Sequence, residues 1–323
     1  TRDDPTRDDP TRDDPTRDGA ERLMPSLRQK FMMQWFAPAD PRGLASLRIA
    51  FYALCFWYYL PHDFTIWGEL PASFRRELYL FKLLRLDIAD PKTLAMLELV
   101  WKVSLLTSSL GLATRASLVV SFALSLYMLG LPNHFGKIGH GDGVLVIVMG
   151  VMMLSHCDRR WTLDAVGRRR LISATSLPPS GEYRWPVQMV RLLSAIVFFA
   201  AGIAKLKTSG LEWVFSENLR NVLLQHHVHS RPMVDWGIWI AGRPWLCQTL
   251  AAFTLSVELL FPLTLFSRRA RWLLVTSMFL IQVGIAVVMG VVFTQFMFIY
   301  LFWLPVCDVF GRHAPLAPSD APA

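Results

Sequence analysis

The chain has 323 residues, 53% of them hydrophobic, with 12 Trp and 21 Phe, and a net charge of +8. Several nearly uncharged stretches are long enough to cross a hydrocarbon layer about 30 Å thick, which excludes an ordinary soluble domain and points to an integral membrane protein. The basic residues are scattered between apolar stretches, an arrangement suited to membrane lipid headgroups and not to a nucleic-acid partner.

In chain order, residues 1–20 read TRDDP-TRDDP-TRDDP-TRDGA, with no apolar side chain that would drive packing of the repeat. Such a tail cannot offset its ordering entropy and is expected to be disordered. Residues 21–43 turn basic and aromatic, with Arg28, Lys30, Phe31, Trp35 and Phe36, as in a segment lying against a leaflet. The first apolar stretch follows and is expected to act as an uncleaved anchor. Apolar spans are predicted at 44–60, 93–112, 116–131, 143–156, 186–206, 247–266, 272–289 and 291–306. None alternates with period two, so an all-α, polytopic membrane protein of about eight transmembrane helices is expected over 44–310, with a flexible tail at 311–323.

The denser basic loops carry Arg28, Lys30 and Arg42, then Arg115, then Arg159 to Arg170, then Arg268, Arg269 and Arg271. The positive-inside bias places them, with the N-terminus, in the cytoplasm, and turns Lys205 and the 133–140 turn outward.

Polar residues in or beside the spans are the candidates for chemistry. Lys205 closes the apolar helix "FFAAGIAKLKTSGLEW", and Lys207 points to a different side. One reading of Lys205 is snorkelling at a helix end; the other is a partly desolvated general base among Phe198, Phe199 and Leu206. Glu258 in "LSVELLFP" lies inside a span, to pair with Lys205, bond a quinone or bond a neighbouring helix. Glu98 and Lys102 have the i, i+4 spacing of a structural ion pair. "QHHVH", 225–229, is expected on an outer loop, where His226 and His229 have a spacing that metal ligands also use, although a solvated cluster is the plainer reading. Cys55, Cys157, Cys247 and Cys307 form no C-x-x-C pair, and no metal is expected. "GHGDG", 139–143, lacks the ending of a phosphate loop.

Three stretches carry a family resemblance. "FFAAGIAKLKTSGLEW" is similar to the A-G-V-K-K-L-D segment of the vitamin K-dependent gamma-carboxylase family, with Lys205 in the place of the catalytic second lysine and Ala204 replacing the first. "NHFGKIGHGDGVLVIVMGVMMLSHCDRRWTLD", 133–164, resembles that family's N-H turn, apolar helix and closing R-x-W-S-x-D. "DPRGLASLRIAFYAL", 40–54, resembles the opening helix of the related bacterial horizontally transferred transmembrane (HTTM) domains. The resemblance covers most of 38–310 and implies a carboxylase-like lyase or oxidoreductase. Such an enzyme uses a reduced, vitamin K hydroquinone-like quinone, oxygen and, in the carboxylases, carbon dioxide. It implies Lys205 as base, His134 or His140 polarising a quinone oxygen or positioning oxygen, and Glu258 tuning the lysine. Phe198, Phe199, Asn133 and Gln282 are then the expected cofactor contacts, Gln282 standing where the family often has histidine. The substrate is an unknown peptide or small molecule. Two rivals remain: a quinone-binding relay subunit working beside a redox partner, and a transporter or scaffold in which Lys205 only snorkels.

Overall fold

The computed structural model describes residues 27–76, 78–136, 140–164, 177–229, 234–306 and 309. The tails at 1–20 and 311–323, and Arg168 to Arg170, lie outside the described residues. Among the described residues the regular structure is helical, with one isolated antiparallel bridge between Ala39 and Ser180.

Helix α1 (Leu27–Phe36) packs on the start of α8 (Trp185–Ser209), and the Gln188 side-chain amide donates to the Gln34 carbonyl at 3.0 Å. Exposed Met32, Met33 and Phe36 leave an apolar flank on α1. Two long helices begin at the same dipeptide, Asp-Pro. Asp40 caps α2 (Pro41–Tyr59) by accepting from the Arg42 amide, and Asp90 caps α5 (Pro91–Leu110) by accepting from Lys92 and Thr93. Proline at the first helical position needs no amide partner there, and the carboxylate satisfies the next donors. Short helices α3 (Ile66–Glu69) and α4 (Tyr79–Leu84) fill the connection between them. Glu98 and Lys102 form the expected ion pair at 2.5 Å. They also tie that connection down: Glu98 accepts from the Phe64 amide, and Lys102 donates to the Leu60 and His62 carbonyls.

Helices α5 and α6 (Thr114–Met128) approach along a line of serines. Ser104, Ser108, Ser117, Ser121 and Ser125 are all buried, and Trp101 donates its indole N–H to Ser125 at 2.7 Å. Small residues let membrane helices close without a hydrophobic drive from water. Helix α7 (His140–Leu154) packs on α6 and α8, making one half of the body with α2 and α5. The other half is α8, α12 (Pro244–Leu260) and α13 (Arg268–Met289), with a 3-10 turn at Phe261–Leu265. Between the halves run α14 (Thr294–Ile299) and the turn Tyr300–Trp303, touching α2 and α7 on one side and α8 and α13 on the other.

Seven of the eight expected spans overlap helices along most of their length, and the last, 291–306, holds only Thr294–Ile299 and the turn Tyr300–Trp303. The count of eight is not reached by length and composition. Among the described residues five segments qualify: Pro91–Leu110, Thr114–Phe135, Gly181–Ser209, Pro244–Leu265 and Arg268–Met289. Helix α2 carries Arg42 and Arg48, which lower its mean hydropathy, while α7 has 15 residues and the last apolar stretch, Thr294–Trp303, is a short one. In the α13 span only 17% is buried inside the protein, so the rest of its apolar surface has the bilayer as its natural solvent.

The two arginines of α2 have different fates. Arg42 is partly exposed and pairs with Asp40 at 2.8 Å. Arg48 is fully buried and donates to the Ser108 carbonyl at 2.6 Å, the Ser109 carbonyl at 3.3 Å and the Trp161 carbonyl at 2.7 Å. It therefore satisfies carbonyls left open at the C-terminal end of α5. Three residues past Trp161, Asp164 accepts from the Ala113 and Thr114 amides and caps α6. The "DPRGLASLR" and "RRWTLD" stretches are thus one clamp around the α5–α6 turn.

Candidate active site

Lys205 lies in the last turns of α8, three residues after Gly202 and so on the same helical face. A side chain at Gly202 would meet Glu258 Cβ and Leu259 Cδ2 at 3.1 Å, so its lack of one lets α8 and α12 close at that level. The closure brings Lys205 onto Glu258, and the ammonium group and one carboxylate oxygen, Oε1, form an ion pair. The Trp213 ring, on α9 (Glu212–Phe215) beyond the turn at Gly210, lies 5.1 Å from Lys205 Nζ. Three-quarters of the Lys205 side chain is buried and Glu258 is 8% exposed, whereas Lys207 is exposed. Of the three roles open to Glu258, pairing with Lys205 is the one observed.

Below the pair, Phe198 is buried edge-on to Phe261 at 4.8 Å and 5.8 Å from the Phe296 ring. Phe199, its neighbour, is 40% exposed and faces outward. Glu258 Oε2 and the Oε1 of Gln282, on the adjacent helix α13, are buried with no hydrogen-bond donor among the described residues. A buried acceptor left unpaired costs about 1–3 kcal/mol, so a donor reaching either atom would be favourable.

The histidines occupy different surroundings. His134 lies in the turn Leu131–Phe135, buried, with its ring edge-on to Phe81 of α4 at 4.4 Å and its carbonyl accepting from the Arg76 amide. Asn133 donates to the Leu129 carbonyl at 3.3 Å. His140 is exposed at the first residue of α7. The neighbours of His134 are those of the α4–α6 corner, and the neighbours of Lys205 are those of α8, α9 and α12.

A polar knot absent from the sequence-level candidates joins three elements nearby in the alternation of helices. Asp142, in the first turn of α7, accepts from the Tyr59 hydroxyl at 2.5 Å and the Gln295 amide at 2.9 Å, and Gln295 also reaches Tyr58 at 3.4 Å. The only signal in the sequence was the acid of "GHGDG" opening an otherwise apolar span.

The "QHHVH" segment is not a loop. It is the last part of α10 (Asn218–His229), where His229 Nδ1 lies 2.9 Å from the Gln225 carbonyl and His227 is 3.9 Å from Asp235. No group of three or more metal-ligating side chains is found among the described residues. Helix α10 and α11 (Trp236–Ala241) pack on α12 and α13 around Leu223, Ala241 and Cys247.

The family described as HTTM domain matches residues 36–310. The chain belongs to the HTTM domain family. The match takes in the Arg48–Trp161–Asp164 clamp and the Lys205–Glu258 pair alike. This HTTM chain matches no curated protein and no solved structure.

Proposed function

We propose that this HTTM protein is a membrane enzyme of the vitamin K-dependent gamma-carboxylase-like class, with Lys205 as its base. The observation that carries the reading is the Lys205–Glu258 pair, held in an apolar setting of Phe198, Phe261 and Phe296 by the close approach at Gly202. An amine and a carboxyl group in contact hold one proton between them, as ammonium and carboxylate or as amine and carboxylic acid. In the second state Lys205 is a neutral amine able to take a proton from a bound hydroxyl. The ammonium that forms is balanced by the anion left on the deprotonated hydroxyl, while Glu258, then a neutral carboxylic acid, stays in contact with Lys205.

A reduced quinone fits the residues present. It brings hydroxyl donors, and the buried Glu258 Oε2 and Gln282 Oε1 are acceptors without donors among the described residues. Its ring is apolar, and Phe198 offers an apolar wall. When bound, such a quinone supplies the oxygen-dependent strong base that the carboxylase-like enzymes use on an unactivated C–H bond. The Trp213 ring, 5.1 Å from the Lys205 ammonium, adds an apolar neighbour to the pair. The exposed apolar surface of α13 gives a lipid-soluble ligand a lateral route from the bilayer.

Mass and absorbance analysis of what co-purifies tests the reading. Bound quinone is expected with the native protein, reduced in Glu258→Leu and Gln282→Leu. The competing role is a structural pin, in which the pair only fixes α8 on α12. Quinone-free protein after reconstitution with a menaquinone-type naphthohydroquinone, combined with loss of folding in Lys205→Ala, decides for the pin.

A further inference from the structure

Helix α4, in the connection between α2 and α5, is seated on the body by a single ring. Phe81 is its buried residue, stacked on Tyr127 at 5.6 Å between centroids and edge-on to His134 at 4.4 Å. A side chain at Gly130 would meet Phe81 Cε2 at 2.5 Å, so the glycine makes the socket. The chain leaves α4 through a tight cap: Arg85 is left-handed, with φ 54°, and the Leu86 amide donates to the Phe81 carbonyl at 2.9 Å. Tyr127 then fixes the approach to α5. Its hydroxyl donates to the Asp87 carbonyl and accepts from the Ala89 amide, both at 2.9 Å.

The remaining side chains of the element turn away from the protein. Tyr79, Leu80, Leu83, Leu84 and Leu86 are all exposed, Leu83 by 63%. Lys82 and Arg85 stand exposed among them. The element is therefore fixed in place, yet it shows large apolar groups on more than one side. A water-facing surface rarely gathers so many together.

The depth of this surface decides what covers it. Tyr127, Gly130 and His134, which form the socket, all belong to Thr114–Phe135, a segment long and apolar enough to cross a membrane. Phe81 thus docks beside the last turns of a span and not beyond its end. Four residues separate Leu86 from Asp90, the cap of α5, so the chain passes directly into a second span. That span continues the exposed apolar surface with Met96, Leu99 and Val103. At this depth and next to this surface, lipid is the neighbour, and a soluble partner would first have to displace it.

We propose that residues 79–86 form a membrane-interface element, lying at the boundary of acyl chains and headgroups in the leaflet at that end of α6. Tyr79 and the leucines enter the acyl side, while Lys82 and Arg85 run their apolar stems outward and keep their charges among the headgroups. The inference rests on the spans and does not depend on the chemistry assigned to Lys205.

The test places single nitroxide-labelled cysteines at Leu83, Leu106 and Glu217 of the full chain, in a background lacking the native cysteines, in phosphatidylcholine nanodiscs. Collisions with oxygen, which concentrates in lipid, are compared with those of a water-soluble nickel(II) ethylenediaminediacetate complex. Leu106 is an exposed position within the α5 span, and Glu217 is a charged surface position with its side chain 64% exposed. At Leu83, nickel collisions are expected several-fold below those at Glu217, with oxygen collisions approaching those at Leu106. Leu84→Cys, at a neighbouring exposed position, gives the same reading if labelling at Leu83 prevents folding. Nickel collisions as frequent at Leu83 as at Glu217 put α4 in water and overturn the proposal. Protection from both reagents overturns it too, because protein, a second copy or another chain, then covers the surface.

Discussion

Replacing Arg48 by Met tests whether the clamp around the α5–α6 turn holds the first half of the body together. The guanidinium is 0% exposed and makes two short bonds, to the Ser108 and Trp161 carbonyls at 2.6 and 2.7 Å, with a third to Ser109 at 3.3 Å. Hydrogen bonds from a charged donor contribute about 1.5–3 kcal/mol each, so the two short ones represent about 3–6 kcal/mol. Methionine fills most of the volume and removes the desolvation cost of the charge, but it leaves the carbonyls at the end of α5 without donors. Breaking such buried arrangements costs about 3–5 kcal/mol, and we expect Arg48→Met to fall there. Arg42→Met is the internal control, because its ion pair is 39% exposed on the arginine side and is expected to matter by no more than about 1 kcal/mol. The assay is an SDS titration in mild detergent followed by tryptophan fluorescence. Equal midpoints for Arg48→Met and Arg42→Met would refute the clamp.

Gly202→Leu should separate α8 from α12, since even a methyl group meets Glu258 Cβ at 3.1 Å; an overpacking cost of about 1–3 kcal/mol is expected in the same titration, together with loss of any bound quinone. Single cysteines at Arg269 and Asn221, in a background lacking the native cysteines, should label from opposite sides of the membrane, with Asn221 reached by impermeant reagent from outside; labelling of both from one side contradicts the alternation of helices. Asp90 should give α5 a stability term on the acid side. Hydrogen bonds from the Thr93 hydroxyl and amide hold its carboxyl below the ordinary aspartate value. A depressed carboxyl contributes at neutral pH and loses that contribution as pH falls through its lowered value, so Asp90→Asn should flatten the acid limb of the pH–stability curve.

The helices were legible because lipid-facing and buried apolar faces both read as long uncharged runs, and Asp-Pro at 40–41 and 90–91 marks two starts in plain view. Span count was less legible. The charge of Arg48 reads as an interruption of a membrane helix, and its burial against backbone carbonyls 60 or more residues away has no local trace. The helical state of "QHHVH" was missed because three imidazoles give no apolar stripe, while tertiary packing at Leu223 holds the segment in place. Pairing of Lys205 with Glu258 was one of three open choices in the sequence; Gly202 decides it, and a lone glycine in an apolar helix does not announce what it lets approach. The Tyr59–Asp142–Gln295 knot joins residues 83 and 153 positions apart, a contact only the fold creates.

The most direct measurement of the central claim is oxygen uptake by reconstituted protein supplied with a reduced naphthoquinone, comparing Lys205→Ala with Lys207→Ala. Lys205 is partly buried and paired with Glu258, whereas Lys207 is exposed two positions further along the same helix. Loss of a general base lowers rates by on the order of a hundred- to ten-thousand-fold. The account predicts that loss for Lys205→Ala, with partial rescue by small added amines and an unchanged unfolding midpoint, and near-native uptake for Lys207→Ala. Equal and mild effects of the two substitutions on a protein that consumes oxygen would contradict it and leave the Lys205–Glu258 pair as a structural pin.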